Sequence, residues 1–266
     1  MPLRLSIDYG KVAERYDNSR GVEPSIIANL AAGLRSLGAS SLIEIGSGTG
    51  NYTAALLARG FHVTALEPAH EMIMRGRAKA ATRWLRADAH RLPLHDGAVD
   101  AATAVNVLHH LADLPTALGE LFRVTTRGAV LQAVVRENLE SLWYRHYFPA
   151  IDSRLLPLHP TLGALVTAAL RAGFARVESA TIFYSGGADL TFEAARTRPR
   201  LLFDADFRAA TSGFRRLPAH AIELGLARLE SDLASGDFDA IARRYEAEHA
   251  SVGDCVVLTA AHRALH

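Results

Sequence analysis

Three glycines alternate over five positions in the stretch IEIGSGTGNYT, residues 43–53. Gly46, Gly48 and Gly50 follow a short apolar run, and helix-like sequence begins at about Asn51. Glycines in this pattern permit a tight turn and remove Cβ atoms from the side that would face a ligand. The start of the helix points free N–H groups and the positive end of its dipole into the same space. The pattern predicts a turn that binds a nucleotide-like or carboxylate-bearing ligand.

Two acidic residues follow at the ends of the next two apolar runs. Glu67 can accept hydrogen bonds from both ribose hydroxyls of a ligand at the turn, and Asp88 can accept from the exocyclic amine of a base. A plain loop or a solvated acid explains each feature alone, but the three in this order favour a nucleoside ligand. The dinucleotide fingerprint is G-x-G-x-x-G/A, so Asn51 after Gly50 disfavours a nicotinamide dehydrogenase.

The elements that must position these residues are short apolar runs that alternate with amphipathic, helix-like stretches. The runs lie at 41–45, 62–66, 83–87, 100–105 and 129–135. This alternation predicts βαβ units and a parallel sheet with helices on both faces, hence an α/β fold. Further strands are expected at 175–185 and 254–264.

Four segments are predicted along the chain. Residues 1–37 read as an N-terminal helical segment, 38–188 as the core, 189–250 as a helical insertion and 251–266 as the last core strand. The last two strands are separated by about 70 residues, which is far beyond the usual connection length. Inserted segments of this kind often build the lid or the substrate wall of a site.

Bulk composition excludes several classes of function. The formal net charge of the 266 residues is +1 and the pI is about 8.0, which predicts neither a nucleic-acid binder nor a membrane-surface binder. The start resembles no signal peptide and no window of 18 apolar residues occurs, so a cytoplasmic protein is expected. The one cysteine, Cys255, forms no internal disulfide and supplies too few ligands for a cysteine-based metal site. No His, Asp or Glu cluster has the spacing of metal ligands, so no metal is expected.

Residues 9 to 135 resemble class I S-adenosylmethionine-dependent methyltransferases, within the small-molecule branch that includes the ubiquinone and menaquinone biosynthesis enzymes. The resemblance rests on AERYDNSRG (13–21), IEIGSGTGNYT (43–53), VTALEPAHEMI (63–73), RADAHRLPLHDGAVDAATAVNVLHHL (86–111) and ALGELFRVTTRG (117–128). It implies a Rossmann-like, doubly wound, mostly parallel seven-stranded sheet whose last strand is antiparallel. It also implies S-adenosyl-L-methionine as the cofactor.

The resemblance assigns the glycine turn and two acids to the cofactor. Gly46, Gly48 and Gly50 would pass under its methionine part, with Glu44 just upstream supporting the amino group. Glu67 would hold the ribose hydroxyls.

Residues at the ends of the second, third and fourth predicted strands would contact the adenine and the reacting centre. Pro68 and Ala69 would line the adenine, Asp88 would accept from its amine, and the backbone of Ala89 would donate to it. Asn106 would face the methionine part or the reacting centre.

The N-terminal segment 1–37 would then cover the cofactor. Tyr16 and Arg20 match a YDxxR element that closes over the ligand, where Arg20 could pair bidentately with its carboxylate. Tyr9 would help to cover it.

A hydroxyl or carbon-acid acceptor needs a proton removed, and histidine is the usual base. His110 and His146 rank first; His109 and His159 are further candidates. A packing or helix-capping role is the commoner explanation for each of these histidines.

An aromatic cluster after the fifth strand could face an apolar or aromatic acceptor. Its substrate-binding candidates are Trp143, Tyr144 and Tyr147, with Phe148 beside them. Core packing against the helical insertion is the alternative.

The function favoured by these observations is methyl transfer to a small-molecule acceptor, aromatic, quinone-like or a secondary metabolite. An RNA methyltransferase would need a concentrated positive patch, which the near-neutral charge does not favour. A non-catalytic protein that binds S-adenosylmethionine would lack an open acceptor pocket. A single cysteine argues against an arsenic methyltransferase, and a homo-oligomer stays open.

Overall fold

A seven-stranded sheet forms the centre of the molecule. The structure, a computed structural model, describes residues 21–185, 192–211 and 213–262. The strand order is β3-β2-β1-β4-β5-β7-β6, and the strands are β1 Ser41–Ile45, β2 His62–Leu66, β3 Arg83–Leu85, β4 Val99–Ala104, β5 Thr125–Ala133, β6 Arg176–Ile182 and β7 Cys255–Ala261. Strands β1 to β5 pair in parallel, whereas β7 runs antiparallel to β5 and β6. The predicted mixed, Rossmann-like fold is confirmed.

Eleven α-helices occur in the described part of the chain. They are α1 Pro24–Ser36, α2 Asn51–Leu57, α3 His70–Lys79, α4 Leu114–Val124, α5 Arg136–Glu140, α6 Tyr144–Tyr147, α7 Ala150–Arg154, α8 Leu162–Ala172, α9 Ala205–Ala210, α10 Ala219–Ser235 and α11 Phe238–Val252. Short 3₁₀ helices add Leu108–His110, Leu156–Leu158, Phe192–Thr197, Pro199–Phe203 and Phe214–Arg216.

Helix α1, within the predicted N-terminal segment 1–37, packs into the hydrophobic core. The Glu23 side chain accepts a hydrogen bond from Ser25 N at the helix start, and Pro24 occupies the first turn. The apolar face of α1 is fully buried in the main hydrophobic core. Gly33 lets the helix approach the sheet, because a Cβ there would lie 2.7 Å from Thr259 Oγ1. Helix α1 is therefore a core helix. The covering role predicted for residues 1–37 stays a prediction, and residues 1–20 lie outside the described residues.

Two separate segments form a helical subdomain that packs on one face of the sheet. Residues 136–158 follow β5 directly, and residues 192–252 lie between β6 and β7. Both segments contribute to one hydrophobic cluster together with one face of the sheet. The predicted insertion 189–250 thus shares its core with residues 136–158, and its role as a lid or substrate wall stays a prediction.

Several strands differ in length from their apolar runs. Strand β3 ends at Leu85, two residues early, and β6 ends at Ile182. Strand β5 begins at Thr125, because the polar start of the strand still pairs with Val99 of β4 across an irregular register. Composition alone does not show pairing of this kind.

Candidate active site

The glycine turn after β1 has the backbone conformation that its sequence predicts. Gly46, Gly48 and Gly50 have φ values of 65°, 54° and 82°, all in the left-handed region. A Cβ at position 46 would lie 2.5 Å from Cγ2 of Val107, so the loop after β4 closes on the turn. A side chain at position 46 is therefore excluded by both conformation and contact.

Ser47 fastens the turn to the neighbouring strand β2. Its backbone N–H donates to Leu66 O at 3.0 Å, and its side-chain oxygen accepts from Leu66 N at 3.2 Å. The turn therefore continues the β1–β2 pairing past the end of the strand. Sequence reasoning did not single out this serine.

Glu67 connects the turn to the end of β2. Its two carboxylate oxygens accept from Gly48 N and from Ala69 N, each at 3.0 Å, and the residue is 7% exposed. Burial raises the pKa of Glu67, whereas the hydrogen bonds from Ala69 and Gly48 act in the opposite direction. A carboxylate has about four lone-pair positions, so Glu67 can hold the turn and still accept from a diol.

Glu44 lies beneath the turn, inside β1. The residue is 2% exposed, and its carboxylate accepts a hydrogen bond from the Thr53 hydroxyl of α2. Burial raises the pKa of Glu44 to about 7, and the hydrogen bonds of Thr53 and Ser47 offset only part of this effect. A carboxyl group in such a place favours a cationic partner, because a nearby positive charge would stabilise its ionised form.

The loop after β4 has a conformation that is rare for a side-chain-bearing residue. Asn106 has a φ of 53° and is the one non-glycine residue with positive φ in the described ranges. Its backbone N–H donates to Gln132 Oε1 at 2.7 Å. Gln132 is fully buried in β5, and its Nε2 has no hydrogen-bond partner among the described residues. An orphaned donor at this place is a candidate ligand contact that sequence reasoning missed, although a glutamine in the apolar run AVLQAVV was the available signal.

Asp88 and its neighbours form the outer end of the site. Arg86 Nε donates to Pro68 O at 3.1 Å, so the loops after β2 and β3 contact each other. The Asp88 side chain is 71% exposed; its carboxylate accepts from His90 N and pairs with the His90 ring. Ala89, by contrast, is buried. The structure brings these predicted adenine contacts together, and their roles stay predictions.

The histidines divide into two groups. The His109 ring is stacked 4.6 Å from that of His159 and lies 4.0 Å from that of His110. His146 lies in α6 of the helical subdomain, is exposed, and has its ring 5.0 Å from that of Tyr147.

Comparisons with known proteins identify the domain. A family described as a methyltransferase domain matches residues 43–133. The malonyl-[acyl-carrier protein] O-methyltransferase of Pectobacterium atrosepticum is 32% identical over 155 residues, which cover 56% of this chain and 61% of that protein. The demethylmenaquinone methyltransferase of Thermus thermophilus is 36% identical over 139 residues, which cover 47% of this chain and 59% of that protein. The matches thus span about three-fifths of these relatives.

A crystal structure extends the likeness over nearly the whole chain. It is that of a methyltransferase from an antibiotic biosynthesis pathway of Anabaena variabilis, with a TM-score of 0.75 and 27% identity. The alignment covers 91% of this chain and 99% of that one. Residues 43–133 form a class I S-adenosylmethionine-dependent methyltransferase domain. The predictions of enzyme class and cofactor are confirmed for this domain, whereas the ubiquinone- and menaquinone-like branch stays a prediction.

The residues of the methyltransferase domain fit S-adenosylmethionine. The turn offers a backbone without Cβ atoms, and Glu67 has lone pairs left for ribose hydroxyls. Glu44 is a buried acid suited to an ammonium group, and Gln132 has a donor to spare for a carboxylate. Tyr9, Tyr16 and Arg20 lie outside the described residues, so their predicted contacts stay predictions.

The aromatic candidates are used in packing. Trp143, Tyr144 and Tyr147 are all buried in the main core. Trp143 Nε1 donates to Arg196 O at 3.0 Å, and the Tyr147 hydroxyl donates to Asp232 at 3.0 Å. These contacts give the aromatic cluster the packing role that the sequence left as the alternative, and contact with an acceptor stays a prediction.

Within the described residues, no helix has the length and apolar character that crossing a membrane requires. No group of three or more potential metal ligands occurs within the same residues.

Proposed function

We propose that this chain transfers the methyl group of S-adenosylmethionine to a small-molecule acceptor. The observation that carries the proposal is the pair of hydrogen bonds by which Glu67 holds Gly48 N and Ala69 N. The carboxylate that would grip the ribose is thereby fixed to the turn that would carry the methionine part.

The order of the strands supports a position for the acceptor. Base, ribose and methionine contacts are proposed at the ends of β3, β2 and β1, which are neighbours in the sheet. The sulfur end of the cofactor would then point toward β4, the next strand on the other side of β1. The acceptor would lie beyond it, over the ends of β4 and β5.

The cofactor, when bound, supplies a methyl carbon activated by positive sulfur. The task left to the protein is to align the acceptor with that carbon and to exclude water. Glu44, Glu67 and the glycine turn would fix one reactant, while Val107 closes the turn from the β4 side. The loop 106–110 and the residues after β5 would position the other.

The named relatives support a small acceptor without defining it. One methylates a malonyl group on acyl-carrier protein and another acts on demethylmenaquinone, as their names state. For this chain we propose an aromatic, quinone-like or secondary-metabolite acceptor. The cytoplasm as its location and the absence of a nucleic-acid partner are parts of the same proposal.

Incubation with methyl-labelled S-adenosylmethionine and a metabolite extract tests the function. We expect label in one or a few small molecules, and a loss of labelling in Glu67→Ala. Label in added RNA would favour the RNA methyltransferase alternative. Calorimetric binding of S-adenosylhomocysteine with no transfer to any extract would favour a non-catalytic binding protein.

A further inference from the structure

His159 lies on the part of the sheet edge where the proposed acceptor would bind. Its Nδ1 is 2.9 Å from Val134 O, directly after the end of β5. Its ring stacks at 4.6 Å on that of His109, in the 3₁₀ helix after β4. His159 therefore bridges the ends of β4 and β5, next to the loop that contacts Gly46 through Val107.

The contact with β5 fixes the tautomer of the ring. A backbone carbonyl can only accept, so Nδ1 must carry the hydrogen and donate it to Val134 O. Nε2 of the neutral ring then presents a lone pair. No described residue hydrogen-bonds to Nε2, and Nε2 is not among the fully buried atoms without a partner, so it faces accessible space.

The surroundings of the His159 ring favour its neutral form, through burial and through the positive charges of two arginines. His159 is 8% exposed, and burial lowers its pKa. The hydrogen bond to Val134 opposes this effect, and the charges of Arg216 and Arg136 lower the pKa further.

The two arginines have no carboxylate partner in the part of the chain that the structure describes. Arg136 is half-buried, its N–H donates to Pro160 O at 2.9 Å, and its Nε donates to Leu156 O at 3.3 Å. Arg216, in the 3₁₀ helix Phe214–Arg216, is also half-buried. Half-buried guanidinium groups without a counter-ion are suited to stabilise an oxyanion.

We propose that Nε2 of His159 is the base that removes the proton from a phenolic or enolic hydroxyl of the acceptor, with Arg136 and Arg216 stabilising the oxygen anion. This inference rests on the proposed function. The O–H bond breaks and the proton passes to Nε2, which gives an imidazolium. The oxygen forms a bond to the methyl carbon, and the carbon–sulfur bond breaks with both electrons left on sulfur. Solvent later takes the proton from the ring.

The proposal separates two classes of acceptor. A phenol or enol keeps its proton near pH 7 and needs a base. A carboxylic acid is already ionised at that pH and needs none. A carboxylate acceptor is thus the outcome that the assignment of His159 excludes.

The main test compares His159→Asn with the wild type in transfer of labelled methyl groups to the metabolite extract. The asparagine amide can still donate toward Val134 O but has nothing at the position of Nε2. We expect the rate of labelling at saturating cofactor to fall at least about 100-fold, as for loss of a general base. The KM for the cofactor should be unchanged. His62→Asn, an exposed histidine at the start of β2, is the matched control.

The pH dependence distinguishes a base from a structural residue. The acidic limb of the wild-type rate profile should be absent in His159→Asn. In Arg216→Gln it should move to higher pH, because a positive charge that lowers the pKa of His159 has been removed. Wild-type rates and profile retained by His159→Asn would overturn the proposal.

A measurement without turnover keeps the two proposals apart. Nitrogen-15 NMR of the histidine rings at pH 7 should show His159 neutral, with its hydrogen on Nδ1. A hydrogen on Nε2 under these conditions would overturn the role of His159, even if no acceptor is found. Absence of labelling in the wild type, with the expected tautomer present, would instead count against the proposed function.

Discussion

At the scale of the residue, Glu67 makes two sets of contacts that a variant can test. Glu67→Ala removes the acceptor of Gly48 N and Ala69 N as well as the proposed ribose contact. We expect S-adenosylhomocysteine to bind about 1.5–3 kcal/mol more weakly, the usual loss of a hydrogen bond to a charged group. Isothermal titration calorimetry measures this as roughly a 10- to 150-fold rise in Kd. A Kd equal to that of the wild type would place the ribose elsewhere.

Glu44 makes the stability of the protein depend on pH. Its pKa in the folded chain, about 7, lies above the ordinary value of 4.5. Between these values the unfolded chain is ionised at this position while the folded chain still holds the proton, so stability falls as the pH rises from 4.5 to 7. At about 1.4 kcal/mol per pH unit, the loss amounts to roughly 3 kcal/mol.

Glu44→Gln should remove this loss and still accept from Thr53. We expect the variant and the wild type to have equal stability near pH 4.5, and the variant to be more stable by about 3 kcal/mol above pH 7. Urea unfolding at several pH values measures the difference. Glu71→Gln, an exposed glutamate of α3, is the control that should show no such trend. A constant difference at all pH values would contradict a buried, titrating Glu44.

At the scale of the element, the turn after β1 depends on two separate properties of Gly46. Its φ of 65° disfavours any Cβ, and Val107 occupies the space that a Cβ would need. Gly60 has a φ of 86°, and no other atom lies within 4 Å of the position that a Cβ would take there, so it isolates the first property.

Alanine substitutions separate the two costs. Gly60→Ala should lose about 1–2 kcal/mol of stability, the cost of the left-handed conformation alone. Gly46→Ala should lose more than Gly60→Ala, and Val107→Ala in the same chain should recover only the steric part. Urea unfolding of the single and double variants gives the coupling energy. Equal losses at positions 46 and 60 would show that the β4 loop does not press on the turn.

Features that depend on residues close together in the sequence could be predicted, whereas features that depend on contacts between distant residues could not. The glycine turn is a local property, and strand–helix alternation sets the sheet, so both were predictable. Gln132 could not be assigned, because its role depends on a hydrogen bond to Asn106 in the loop after the neighbouring strand β4. Likewise His159 was one candidate among several until its contacts with Val134 and His109 were known. The aromatic cluster stayed ambiguous because core packing and ligand binding demand the same residue types.

At the scale of the whole molecule, one hydrophobic core joins the sheet to the helical subdomain. Phe148, from the segment after β5, packs edge-on against Phe214 from the segment after β6, with ring centroids 5.5 Å apart. Gly225 of α10 permits this contact, because a Cβ there would lie 2.3 Å from the Phe148 ring. The same core cluster includes Leu42 of β1 and Val130 of β5. We therefore expect the methyltransferase domain and its helical subdomain to unfold together.

Phe148→Ala tests whether the two parts are coupled. The fluorescence of the two tryptophans reports on different parts of the molecule. Trp84 lies in β3 of the sheet and packs on Gly76, whereas Trp143 lies in the helical subdomain. With Trp84→Phe and Trp143→Phe as single-tryptophan backgrounds, Phe148→Ala should lower stability by about 3–5 kcal/mol. Both fluorescence signals should shift to the same lower urea concentration, because a shared core transmits the loss to both parts. Leu224→Ala, an exposed leucine of α10, should leave both signals unchanged. A transition of Trp143 that precedes that of Trp84 would instead make the subdomain a separate folding unit.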